Sequence, residues 1–123
     1  MLVEKARAVR KNAYAPYYNV YVGAALLTED ESIYVGCNVE NAAGGAHNGC
    51  AEANAIAAAV ADGKQNFVAI AVVGSENQLT FPCGVCRQKM AEFSKEMDIY
   101  LAPASGPYKQ FRLSELFPHP MKI

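Results

Sequence analysis

The sequence lacks any long apolar run. Its richest stretch, residues 67–74 (FVAIAVVG), is far shorter than the roughly 18–20 residues a membrane-spanning helix needs, so no such span is expected. It also lacks an excess of either charge: 11 Lys and Arg face 12 Asp and Glu, a formal net charge of −1. That balance argues against a nucleic-acid binder, which needs a dense cationic footprint to displace counterions. No internal repeat, low-complexity tract or linker divides the 123 residues, so 1–123 is read as one domain with room for a real core. Charged residues make up 19% against 52% hydrophobic, a composition that folds rather than staying disordered and leaves apolar surface for partner subunits. The first seven residues, MLVEKAR, carry charges where a signal peptide has its apolar stretch. The expectation is a soluble, cytoplasmic domain with neither a nucleic-acid nor a membrane partner.

What is present reads as alternating elements. Leu2, Val3, Ala6, Val9 and Ala13 recur at helical spacing, which predicts an amphipathic helix over 2–13. Lys5, Arg7, Arg10 and Lys11 form its solvated face, and Pro16 ends it by biasing Ala15 away from helical dihedrals. Residues 21–27 and 33–38 are β-rich runs joined by a polar 28–32, a hairpin. A Gly-rich loop follows over 42–49. Residues 50–62 then predict a helix closed by Gly63. Seven alanines with Ile56 and Val60 make it apolar nearly all round, hence covered on more than one side. Residues 67–74 predict a central strand buried on both faces. Cys86, Met90, Phe93 and Met97 mark the inner stripe of a second core helix, 99–101 a short strand, and 109–117 a brief strand or helical turn. The order implies an α/β fold: a three-layer α/β/α domain with a central mixed sheet.

Four cysteines, at 37, 50, 83 and 86, are the most informative residues. Without an export signal, metal binding or thiol chemistry is a better reading than disulfides. Cys50 opens the first core helix, and Cys83-Gly84-Val85-Cys86 opens the second. The positive end of a helix dipole favours thiolate. Two helix starts converging at one sheet edge could present three sulfurs to one ion, and three soft ligands with one open position describe a catalytic zinc site. Glu52 lies in the same first turn as Cys50. A carboxylate there is favourable through the dipole alone. An acid among alanines is nevertheless expensive to bury without a task, and a proton shuttle beside the metal is such a task.

Cys50-Ala51-Glu52 followed by Pro82-Cys83-Gly84-Val85-Cys86-Arg87-Gln88 resembles the small zinc-dependent cytidine deaminases, the pattern known for zinc deaminases in its three-cysteine form. The segments YAPY (14–17), VGAALL (22–27), GCNVENA (36–42) and Glu115-Leu116 extend the resemblance over nearly the whole chain. It implies a cytidine deaminase-like fold and hydrolytic deamination of cytidine or a related cytosine nucleoside, releasing ammonia. It implies one Zn²⁺ per subunit on Cys50, Cys83 and Cys86, with Glu52 moving the proton. Asn38 and Glu40 match the pair that grips the sugar hydroxyls, and the Ala51 N–H the group that holds the pyrimidine carbonyl. Val20 matches the wall over the base. Cys37 matches a non-ligand position and is expected as a small buried hydrophobe. Members of this length are usually homotetramers, so the resemblance also implies a homotetramer.

Three departures qualify it. Ala53 stands where three-cysteine members commonly have Arg after the shuttle Glu. Three thiolates on Zn²⁺ leave a net negative charge, so Arg87 and the two helix starts are expected to supply electrostatic support. Blasticidin-type deaminases also lack that Arg. The aromatic wall is thinned as well: Val20 replaces a Phe, Gly44 a Tyr and Met121 a C-terminal Phe. Each lost ring gives up stacking of about 0.5–1.5 kcal/mol, so a roomier pocket open to bulkier cytosine derivatives is expected. The loop 44–49 is one residue longer than usual. Its His47 is expected as an exposed loop residue rather than a ligand, because three sulfurs already serve the metal, and His119 as a tail residue. The competing readings are a deaminase of another aminopyrimidine-type substrate, a non-catalytic zinc module closed by all four cysteines, and a thiol–disulfide oxidoreductase on Cys83 and Cys86.

Overall fold

A computed structural model describes residues 1–44 and 49–123. In chain order the elements are α1 (Leu2–Arg10), β1 (Gly23–Thr28), β2 (Ile33–Cys37), α2 (Ala51–Ala61), β3 (Phe67–Val73), α3 (Gly84–Phe93), β4 (Asp98–Ala102), β5 (Lys109–Arg112) and α4 (Leu113–Leu116). The strands form one sheet in the order β2-β1-β3-β4-β5. Only β3 and β4 run parallel, with α3 as their crossover; the other neighbours are antiparallel. The sheet is mixed, as the order of elements predicted.

Strand alternation assigns the layers. Ala24, Leu26, Ile70, Val72, Ile99 and Leu101 face a cluster built with α2 and α3. Ala25, Ala71, Val73 and Ala102 point the other way, to Val3 and Ala6 of α1. The central strand β3 is therefore covered on both faces, which is why 67–74 reads as a continuous apolar run. The result is three layers, α/β/α. No helix among the described residues is long and apolar enough to cross a membrane.

The boundaries differ from expectation where polar backbone finds a tertiary partner. The first helix stops at Arg10 rather than at 13. Asn12 and Ala13 tighten into a turn on Val9 and Arg10, and the Tyr14 N–H leaves to donate to the Asn38 carbonyl at 3.0 Å. β1 starts at Gly23, not 21, because the Val22 N–H donates to the Asn38 side chain instead of a strand. Met97 lies beyond the end of α3 yet is fully buried. Segment 109–117 is a strand and a helical turn in succession. Cys37, expected buried, is only half-buried, since it ends β2 at the open end of the sheet.

Candidate active site

Two helix starts build the site at the end of the sheet. α2 sits directly on β2 because Gly36 has no side chain: a Cβ there would lie 2.5 Å from both the Ala51 carbonyl and the Ala55 nitrogen. Gly49 adopts φ +128°, and a Cβ on it would lie 2.5 Å from the Val39 carbonyl. Only glycine brings the chain into Cys50 that way. Cys50 and Cys83 then occupy equivalent positions, each extended and capping its helix, and their carbonyls accept from Asn54 at 3.0 Å and Arg87 at 2.9 Å. Cys86 lies one turn into α3 and is fully buried. The sulfurs of Cys50, Cys83 and Cys86 all lie within 4.8 Å of one another.

That donor set fits zinc. Tetrahedral bonds of about 2.3 Å place thiolates about 3.8 Å apart, so sulfurs this close need only a small adjustment to share one ion. The crowding is visible in the thiols themselves. A hydrogen bond with Cys50, then burial, then the neighbouring acids push the Cys86 thiol far above the usual range. A divalent cation removes that penalty, because it stabilises all three in the ionised form. Cys37 is not part of the cluster found among the described residues. A module closed by all four cysteines is therefore not what this chain builds.

Glu52 occupies the first turn of α2 and is only 5% exposed. Burial, with a smaller contribution from Cys50, pushes its carboxyl up to about 7, against the lowering effect of its own backbone N–H. A carboxyl that takes up and releases a proton near neutrality is suited to general acid–base work. Ala51, the first residue of α2, is fully buried, and its N–H is one of the amides a helix start leaves without an intrahelical partner.

The segment matching the sugar-gripping residues runs beside this helix start. The Val39 N–H donates to the Gly49 carbonyl at 3.0 Å, and the Glu40 N–H to the Tyr14 carbonyl at 2.8 Å. The Asn38 side chain bridges one short stretch: Oδ1 accepts from the Val22 N–H at 2.7 Å and Nδ2 donates to the Val20 carbonyl at 2.6 Å. Val20 itself is 51% exposed. Glu40 is 3% exposed. Its Oε1 accepts from the N–H groups of Tyr17 at 2.8 Å and Tyr18 at 3.1 Å, while Oε2 is buried with no hydrogen-bond partner among the described residues. Buried polar atoms are nearly always paired, so an orphaned carboxylate oxygen calls for an outside donor.

Other positions take roles that the sequence pattern does not display. Arg87 holds carbonyls on both sides of the site, donating from Nε to Pro82 at 2.8 Å and from Nη1 to Leu116 at 2.6 Å. Asn54 donates from Nδ2 to the Cys37 carbonyl at 2.8 Å, fastening α2 to the end of β2. Its one sequence signal is an amide inside an alanine helix. Met121 is exposed, its backbone pinned to α3 by the Gln88 side chain at 2.9 and 3.1 Å. Gly44 is half-buried and His119 is exposed. His47 lies outside the described residues.

Three sulfurs able to share one cation, with an acid–base carboxyl in the same helical turn as one of them, define a zinc-dependent hydrolase centre on a three-layer α/β/α scaffold. Comparison with known proteins makes this particular. Residues 1–102 match the family of the cytidine and deoxycytidylate deaminase zinc-binding region. The chain is 43% identical over 118 residues to the cytidine deaminase of Sporosarcina psychrophila, covering 95% of this chain and 86% of that one. It is also 43% identical over 119 residues to that of Halalkalibacterium halodurans, covering 96% and 89%. In three dimensions it is similar to the crystal structure of cytidine deaminase from Burkholderia pseudomallei, with TM-score 0.90, 41% identity and coverage of 98% and 96%. The corresponding structure from Mycobacterium tuberculosis gives TM-score 0.85 at 33% identity, covering 100% and 96%. The chain belongs to the cytidine deaminase family.

Proposed function

We propose that residues 1–123 form one catalytic domain that hydrolyses cytidine, or a closely related cytosine nucleoside, to the uridine-type product and ammonia. The observation that carries this is the meeting of Cys50, Cys83 and Cys86 within 4.8 Å at two helix starts, with Glu52 buried in the same turn as Cys50. Those three cysteines would hold one Zn²⁺, which when bound lowers the pKa of water towards neutrality. Glu52 takes the proton from the attacking water and delivers it to N3 of the ring as oxygen bonds to C4. The carboxylate then takes the remaining proton from the new C4 hydroxyl and passes it to the exocyclic amine, so that the C4 carbonyl forms as the C4–N bond breaks and ammonia leaves. One water enters, one ammonia departs, and Glu52 ends as it began. Burial suits it to both transfers, because a carboxyl near pKa 7 is a usable base and a usable acid.

Substrate recognition follows from the segment beside α2. Glu40 Oε2, buried without a partner among the described residues, supports a sugar hydroxyl as its donor. Asn38, already fixed through both ends of its amide, offers its remaining donor and lone pair to the same sugar. The Ala51 N–H would hold the pyrimidine carbonyl. An exposed Val20 in place of a ring supports a wider pocket that admits ring- or amine-substituted cytosines. Arg87 would offset the negative charge of three thiolates while holding the Pro82 carbonyl next to Cys83. Three ligating thiols persist as ligands in a reducing compartment, which supports a cytoplasmic location. The outward side of α2, with Ala57, Ala58 and Val60 uncovered, supports a homotetramer packed through that helix.

The test is ammonia release across cytidine, deoxycytidine and bulky cytosine nucleosides, with Glu52→Gln as control. Glu52→Gln is expected to lower kcat by about 10²–10⁴-fold while metal analysis still finds one zinc per chain. Turnover that survives the substitution would remove Glu52 from the mechanism. A strict preference for unsubstituted cytidine would remove the wider pocket.

A further inference from the structure

The last residue of α1 reaches across the end of the sheet. Arg10 Nε donates to two carbonyls, Gly74 at 2.7 Å and Tyr21 at 3.1 Å. Its Nη2 lies 3.5 Å from Glu76, a largely exposed partner, whereas the Arg10 side chain itself is only 18% exposed. An exposed ion pair is worth little, so the two carbonyl bonds are the contacts that account for the placement of this covered guanidinium. α1 comes this close because Gly23 lies beneath it: a Cβ there would run into the Ala6 carbonyl and the Arg10 backbone.

Both carbonyls belong to segments that enter the site. Tyr21 sits between Val20 and Val22, whose backbone groups hold the two ends of the Asn38 amide. The Val22 carbonyl accepts from the Asn38 N–H at 3.2 Å, one residue beyond the Gly23–Cys37 pair, while the Tyr21 carbonyl accepts from Arg10. Gly74 follows β3 and opens the loop leading to Pro82 and Cys83. That loop is folded back on itself, with the Ser75 N–H donating to Thr80 Oγ1 at 2.9 Å. One guanidinium thus ties the stretch that orients Asn38 to the loop that carries a metal ligand.

We propose that Arg10 is a positioning residue for nucleoside binding. Through the Tyr21 carbonyl it fixes the 20–22 stretch, and that stretch fixes the Asn38 amide towards the sugar. The proposal rests on the reading of Asn38 as a sugar contact. It differs from a general structural role in what it moves: affinity for the nucleoside changes, while the metal centre and the core remain.

The experiment compares Arg10→Ala, Arg10→Lys, Asn38→Ala and the Arg10→Ala/Asn38→Ala double variant as zinc-loaded enzymes. Steady-state kinetics on cytidine, calorimetric binding of uridine and amide hydrogen exchange are measured for each. Arg10→Ala is expected to raise KM for cytidine and Kd for uridine by about 10- to 100-fold, the range that sub-ångström to ångström misplacement produces. Over the same change kcat moves far less, and zinc stays at one per chain. Exchange at the Val22 amide accelerates while Ile70 and Val72 stay protected. Arg10→Lys, which keeps a donor and the charge but not the planar fork, recovers part of the affinity. In the double variant KM is no higher than in Asn38→Ala alone, because the two act through one contact. Unchanged KM in Arg10→Ala, additive losses in the double variant, or a joint fall of kcat, zinc and core protection overturns the proposal. If Asn38→Ala alone leaves KM and Kd unchanged, the sugar-contact reading fails and takes the proposal with it, while normal turnover in that variant leaves the deaminase reading standing.

Discussion

Arg87 joins a proposed task to an observed one. It follows Cys86 in sequence, and in the proposed mechanism its charge would offset a cluster whose three thiolates outweigh the charge of one zinc. Its guanidinium also bonds the Pro82 and Leu116 carbonyls, which sets the entry to α3 against the end of α4. Cysteine ligation itself does not require it. Arg87→Ala is therefore expected to lower kcat by about 10-fold or more, in the range typical when outer-shell support is lost, with a smaller loss of zinc affinity. Steady-state rates set beside metal analysis check this, and equal losses of both would contradict it. At this scale the sequence was legible wherever chemistry restricts residue type. Three cysteines and one acid among alanines identify themselves. Asn54 and Arg10 did not, because each acts by donating to backbone carbonyls that only the folded chain brings near. The resemblance marked the amide of Asn38 as a candidate site residue, but not its bonds to Val20 and Val22, which depend on where β1 begins.

At the scale of elements, the placement of α2 controls the site, since it carries both Cys50 and Glu52. Gly36 lets this helix lie on β2. Gly36→Ala would put a methyl 2.5 Å from the Ala51 carbonyl and the Ala55 nitrogen, backbone atoms that cannot swing aside. The expected cost is about 1–3 kcal/mol from overpacking, read as a lower midpoint in urea, together with weaker zinc retention as Cys50 shifts. Gly84→Ala is the control. A Cβ at that position meets nothing within 4 Å, so stability should stay within about 0.5 kcal/mol. An equal loss in both variants would show that close approach at β2 is not what holds α2. The elements themselves were legible from periodicity: α2 falls within one residue of the expected bounds at either end, and β3 within one at its C-terminal end. The misses share a cause. Residues 11–13 and 21–22 carry the right apolar spacing, but their N–H and C=O groups bond to Asn38, Arg10 and nearby turns rather than continuing a helix or a ladder.

At the scale of the molecule, the outer side of α2 is the surface on which the proposed homotetramer rests. Ala51, Ala55 and Ala59 are fully buried against the sheet, yet Ala57, Ala58, Val60 and Ala61 on the opposite side are uncovered and almost as apolar. A lone domain has no use for an apolar helix on both sides, because only one is needed to form the core. The composition left apolar surface over, and which face it occupies required the fold. Ala57→Glu isolates the question. Glutamate is nearly as good a helix former as alanine, and position 57 is exposed, so a single protomer should fold with a cost of a few tenths of a kcal/mol at most. If α2 packs against α2 of other subunits, the same change buries several like charges near one another. Sedimentation analysis is then expected to show four-chain particles for the wild type and smaller species for the variant, with lower activity. A variant that remains four-chained would place the subunit contacts elsewhere. One whose protomer unfolds would show that the outer face of α2 serves the fold itself.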